Sequence, residues 1–125
     1  MKQAILAVLA AGATFALAPG AHAAGDPNRG SKVFQEECSD CHSATAGKNK
    51  KGPSLAGVIG RKAGSVPDFN YSDAMRASGI VWAADKIEPY ITRPKQIVPS
   101  GKMKYDGLDD EQARQDIISY LMILR

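Results

Sequence analysis

The stretch EECSDCHSATAGKNKKGPSLAG, Glu36 to Gly57, decides how the chain is read. It carries both cysteines of the 125 residues, Cys38 and Cys41, with His42 directly behind the second. Thiols at this spacing serve four chemistries: a local disulfide, a redox pair, part of a zinc site, or covalent attachment of a haem. The flanking sequence and the residue counts separate them.

Upstream lies MKQAILAVLAAGATFALAPGAHAAGD. Lys2 supplies a positive start, and Ala4 to Ala18 is a small, apolar run. A Pro19-Gly20 break follows, then Ala21-His22-Ala23, which fits the small-x-small cleavage rule of secretory signals. The run is shorter than the roughly 17 to 25 residues that span a bilayer. The sequence therefore predicts a cleaved signal over residues 1–23 and one domain over 24–125, with no membrane span left after cleavage. That domain is expected outside the cytoplasm, most simply in a bacterial periplasm. Losing Lys2 leaves fifteen Lys and Arg against thirteen Asp and Glu, a net of +2. The densest basic cluster, Lys48 to Lys51, reads as a solvated loop, so no nucleic-acid partner is expected. His22 departs with the signal, and His42 becomes the only histidine of the mature chain.

These counts narrow the four readings. A disulfide across two residues closes a tiny loop and constrains little of the unfolded chain. A thioredoxin-like pair follows a strand in a βαβ unit, and no strand precedes Cys38. A structural zinc site needs four ligands, and no further cysteine or mature histidine exists to complete one. C-x-x-C-H is also the signature of c-type haem attachment. In that chemistry each thiol adds to one porphyrin vinyl group, and the adjacent histidine is held beneath the ring. Export of the chain agrees, because such haem is attached outside the cytoplasm.

The pattern elsewhere is all-α with long loops. Asp26-Pro27 opens a short helix that runs toward Cys38. Gly47, Gly52-Pro53, Gly57, Gly60, Gly64 and Pro67 then punctuate a segment without period. A helical turn or two is expected over Ser72 to Ala77, ended by Gly79. Another helix spans Ala83 to Thr92 with Pro89 inside it, and one more turn fits Lys95 to Val98. Asp109 with Gln112 suggests a capping box for a final helix. Ala113, Ile117, Tyr120, Leu121 and Leu124 share one face of it. An irregular chain of about a hundred residues has a small core, and a large buried cofactor would help hold it.

An iron held by His42 takes a second axial ligand or leaves that position open. The count excludes another histidine. Met75, Met103, Met122, a lysine and a tyrosine are the candidates. Met75 and Met122 read as packing residues. Met103, in the loop VPSGKMKYDG, is the favoured ligand.

Taken in order, Gly30 and Phe34, CSDCH, GPSLAGVIGRKAG, FNYSDA, GIVW, EPYITRPKQIVPSGKM and IISYL resemble a class I cytochrome c, of the cytochrome c2 and mitochondrial type. The likeness covers Gly25 to Arg125. It implies that fold, with short helices and long loops wrapped around one haem c bound through Cys38 and Cys41. His42 and Met103 are the implied iron ligands. Pro53 is implied as the carbonyl that accepts from His42, Arg61, Tyr71 and Trp82 as the residues meeting the haem propionates, and Tyr90 as the neighbour of the Met103 sulfur. Gly30, Phe34, Ile117 and Tyr120 match the contact of the first and last helices.

Departures accompany the likeness. Gly101 stands where many relatives carry Thr, and Met75 where many carry a polar residue. Lys95 and Lys102 match part of the docking ring, but Glu37 and Asp109-Asp110 put acids where eukaryotic relatives have lysines. The expected function is one-electron transfer with no substrate transformed, between transient partners of the membrane oxidase, quinol-cytochrome c reductase or photosynthetic reaction-centre type, by a monomer. A ligand-binding or peroxidase-type haem protein, or the haem subunit of a larger complex, is the alternative.

Overall fold

The computed structural model describes residues 24–125 together with Gly12; apart from Gly12, the expected signal segment lies outside the described residues. Helix α1 spans Pro27–Val33, with the Asp26 side chain accepting from the Arg29 amide at 2.8 Å and Pro27 at its first position. Proline suits that position because its missing N–H would have no helical partner there. The chain then widens into a π-helical turn, Phe34–Cys38, closed by the Ser39 amide on the Phe34 carbonyl at 2.9 Å. The expected helix into Cys38 is thus two pieces, and the wide turn delivers the first cysteine. Such π turns gather at functional sites.

From Ser43 to Asn70 the backbone is loop, as the glycine and proline spacing predicts. Helix α2, Asp73–Ala77, is capped by Ser72, whose hydroxyl accepts from the Met75 amide at 3.0 Å. Helix α3 spans Ala84–Thr92 and α4 spans Pro94–Ile97. Pro89 is accommodated within α3; it withholds only the N–H that would bond the carbonyl four residues back. Helix α5, Glu111–Ile123, begins one residue later than the sequence suggests: Asp110, not Asp109, caps it, accepting from the Ala113 amide at 2.9 Å. Asp109 instead pairs with Arg93, Nη2 to Oδ1 at 2.6 Å. The described residues hold no β-strand, only an isolated antiparallel bridge between Lys62 and Val81.

The frame is the crossing of α1 over α5. A Cβ on Gly30 would lie 2.0 Å from the Asp116 carbonyl oxygen and 2.7 Å from Tyr120 Cβ, so only glycine lets the backbones meet this closely. Phe34 and Tyr120 fill the flank edge to face, ring centroids 5.5 Å apart. Such pairs add about 0.5–1.5 kcal/mol beyond their burial. Asp116 is buried in the crossing, 3% exposed. It accepts from the Asp26 amide at 2.8 Å, from Arg29 Nε at 2.8 Å and Nη2 at 2.9 Å, and from Gln112 Nε2 at 3.1 Å. That set of donors answers the cost of burying a carboxylate. Arg29 leads the causes that hold its pKa down at about 2.

Around this crossing Phe34, Val58, Trp82, Ile87, Tyr90, Val98, Ile117, Ile118 and Leu121 form the buried core. Met122 differs from its sequence reading: it is 55% exposed beside Ile123, and the packing falls to Ile118 and Leu121.

Candidate cofactor site

A cavity of about 480 Å³ opens beside the core, within the range typical of small-molecule and cofactor sites. The π turn brings Cys38 to its wall, and Cys41 and His42 follow within one turn: the amides of both bond the Cys38 carbonyl, at 3.1 and 2.8 Å. The two thiols form no disulfide. Burial, then the neighbouring Glu37 and Cys41, push the Cys38 thiol up to about 12.

His42 Nδ1 lies 2.7 Å from the Pro53 carbonyl oxygen. A carbonyl can only accept, so Nδ1 carries the proton and Nε2 keeps its lone pair, the form a metal requires. Burial favours the same neutral ring by lowering the imidazole pKa. Gly52 completes the cradle: a Cβ there would lie 2.4 Å from the ring's Cε1. The Gly52 amide donates to the Cys41 carbonyl at 2.7 Å, which fixes the loop against the motif.

Met103 lines the same cavity, and Tyr90 Oη donates to its sulfur at 3.5 Å. Tyr90 is buried and packs on Trp82, centroids 4.8 Å apart. Burial raises its hydroxyl to about 12, so it stays a donor. Met75 also lines the cavity, packed against the core.

Arg61, Tyr71 and Trp82 all reach the cavity wall. Arg61 spends Nη1 on the Ala56 carbonyl at 3.2 Å and Nη2 on the Ser54 carbonyl at 2.9 Å. Tyr71 Oη accepts from the Val66 amide at 3.1 Å and keeps its proton for another acceptor. Arg61 and Tyr71 thus add polar groups, and Trp82 a buried aromatic ring, to the lining of a mostly apolar chamber. Of the two expected docking lysines, Lys102 donates to the Asn70 carbonyl at 3.1 Å and Lys95 faces Asp106 at 3.5 Å.

Two features escaped the sequence reading. Arg114 bridges Glu88 of α3, Nε to Oε1 at 2.7 Å, and the carbonyls of Leu108 and Asp109, both at 2.8 Å from Nη1. It thereby anchors the end of the Met103 loop. Tyr105 Oη donates to Glu37 Oε2 at 2.7 Å, joining residues 68 positions apart. No local spacing signals either contact.

This arrangement fits a flat apolar cofactor fastened through paired thiols, with a lone-pair nitrogen and a thioether on the walls of one cavity. It defines a helical protein built around a covalently attached haem. The family model described as Cytochrome c matches residues 27–125, and the chain belongs to that family. It is 50% identical over 101 residues to cytochrome c2 of Rhodopila globiformis, covering 81% of this chain and 95% of that one. It is 43% identical over 111 residues to cytochrome c2 of Rhodomicrobium vannielii, 88% of each chain. Cytochrome c of Theileria annulata is 47% identical over 98 residues, 78% of this chain and 84% of its own. The chain is a haem electron carrier rather than an enzyme, with haem c bound through the two cysteines. No helix among the described residues is long and apolar enough to cross a membrane.

Proposed function

We propose that the mature chain, residues 24–125, is a periplasmic one-electron carrier whose iron is held by His42 and Met103, and that residues 1–23 are its cleaved export signal. The bound haem supplies an Fe(III)/Fe(II) couple. The observation that carries the ligand assignment is the pairing, on one cavity, of a His42 Nε2 with its lone pair free and a Met103 sulfur steadied by Tyr90. A thioether favours the reduced metal, so this set suits a carrier of raised potential. Pro53 orients the imidazole. Arg61, Tyr71 and Trp82 serve the acidic edge of the cofactor, and the buried Trp82 and Tyr90 help keep water from the metal.

The partners are redox proteins, of the oxidase, quinol-cytochrome c reductase or reaction-centre type, met by a monomer. Both docking lysines have contacts of their own, Lys95 with Asp106 and Lys102 with Asn70. That predicts weak, brief encounters rather than tight binding to a strongly acidic surface.

The test is the absorption spectrum of the ferric holoprotein. A weak far-red sulfur-to-iron band that Met103→Ala abolishes and Met75→Ala retains supports the assignment. A high-spin ferric spectrum without that band overturns it in favour of an open, ligand-binding site.

A further inference from the structure

We propose that Glu37 and Tyr105 form a latch that holds the Met103 segment closed across the cavity, making both positioning residues for the iron's second ligand. The inference rests on Met103 being that ligand.

The segment from Gly101 to Leu108 is fastened at its ends. The Gly101 amide bonds the Val98 carbonyl at 3.0 Å, and the Leu108 amide bonds the Ile91 carbonyl at 2.8 Å. Arg114 secures the far end again through the Leu108 carbonyl. Between these ends the ties are weaker. Lys102 reaches the Asn70 carbonyl from an exposed position, Lys95 meets Asp106 at 3.5 Å with both side chains in solvent, and the Tyr90–Met103 contact is to sulfur. Exposed ion pairs contribute little, and sulfur is a weak acceptor.

Tyr105 is different. It stands two residues after Met103, and its hydroxyl donates at 2.7 Å to a carboxylate of the π turn. That carboxylate belongs to Glu37, the last residue before Cys38, whose position is fixed once the cofactor is attached. Both residues line the cavity. The contact therefore ties the middle of the loop to the segment that carries the attachment cysteines. The bond is solvent-exposed on the Glu37 side, but a hydrogen bond to a charged group is still among the stronger polar contacts available to Tyr105.

Breaking the latch raises the population of a loop swung off the iron and so admits outside ligands. The experiment titrates the ferric holoprotein with imidazole, followed by absorption, for the unmutated protein, Tyr105→Phe, Glu37→Ala and the double variant. Tyr105→Phe keeps the ring and removes only the donor. Each single change is expected to tighten apparent imidazole binding about three- to tenfold, the yield of one charge-assisted hydrogen bond partly screened by solvent. The double variant should match the singles, because either change removes the same bond. Single variants within twofold of the unmutated protein, or effects that multiply in the double, overturn the latch. The far-red band of the unmutated protein separates the two readings. Its absence overturns the Met103 assignment and the latch together, whereas its presence with unchanged imidazole binding overturns the latch alone.

Discussion

Replacing Gly30 by alanine sets two physical effects against each other. Gly30 lies within α1, where helix propensity alone gives alanine an advantage of about 1 kcal/mol. The structure predicts the opposite sign. The added Cβ would fall 2.0 Å from the backbone oxygen of Asp116, against the 3.0 Å below which such contacts essentially do not occur. The helices must then part by at least an ångström, because the obstacle is backbone and not a side chain that can turn away. A gap of that size forfeits about a quarter to a half of the dispersion energy of contacts along the seam. It also strains the Phe34–Tyr120 pair and the bonds from Asp26 and Arg29 to Asp116. Overpacking of this kind costs about 1–3 kcal/mol, and the strained polar bonds add about 1. After the gain in propensity, the net loss is roughly 2 kcal/mol, or about 10 °C in Tm for a domain of this size. Urea and thermal unfolding of the holoprotein measure it. Gly79→Ala is the comparison: φ there is 68° with nothing within 4 Å, so only backbone strain of about 1 kcal/mol applies. A Gly30→Ala protein as stable as the unmutated one would show that propensity outweighs the crossing, and would refute the account of α1 and α5.

Asp116 supplies a pH dependence whose sign is fixed by its depressed pKa, about 2 when folded against 3.8 for the free group. Its contribution is present above about pH 4 and is lost as pH falls through the folded value. With Arg29 half exposed and partly screened, the effect is about 1–2 kcal/mol. Urea midpoints of unmutated and Asp116→Asn protein between pH 5 and 2 measure it, and the variant should lack this part of the acid loss. Tyr90→Phe removes the donor to the Met103 sulfur. With Met103 as the proposed iron ligand, its sulfur becomes the better electron donor and favours the ferric state, so voltammetry should show the potential falling by roughly 20–40 mV, the electrical equivalent of a weak hydrogen bond. An unchanged or raised potential would remove Tyr90 from the tuning of the site.

Local signals carried well into the structure. Ser72 stops one segment and caps the next, Pro27 opens α1, and the glycine run from Gly47 to Gly64 remains loop, because each acts through its own backbone within a few residues. Where the signal spans two neighbours it slipped: Asp109 and Asp110 are equally good caps by type, and the pairing of Asp109 with Arg93 leaves the role to Asp110. The exposure of Met122 has a related cause. Four apolar residues end the last helix, and helical period alone does not say which of them the loop at Gly57 will cover, although that loop bonds the Leu124 carbonyl at 3.1 Å.

The site divides along the same line. The attachment motif is contiguous, so five residues, read with the flanking sequence and the residue counts, point to its chemistry. The polar contacts that steady the cavity join distant parts of the chain. Asp116 has the residue type of a solvated helix face, and its burial follows from how closely Gly30 lets α1 approach, which brings Arg29 and the Asp26 amide to it. Glu37 and Tyr105 are likewise unremarkable until the π turn and the Met103 loop meet at the cavity lining. A buried or bridging acid is stable only where donors converge on it, and that convergence is a property of the crossing rather than of the acid. In this chain the residue that makes such convergence visible is the glycine opposite. Gly30 and Gly52 are two of the places where backbone presses on a neighbour, one beneath the helix crossing and the other beneath His42. The close approach at Gly30 sets the frame on which the cavity rests, and the one at Gly52 leaves room for the His42 ring whose tautomer the Pro53 carbonyl fixes.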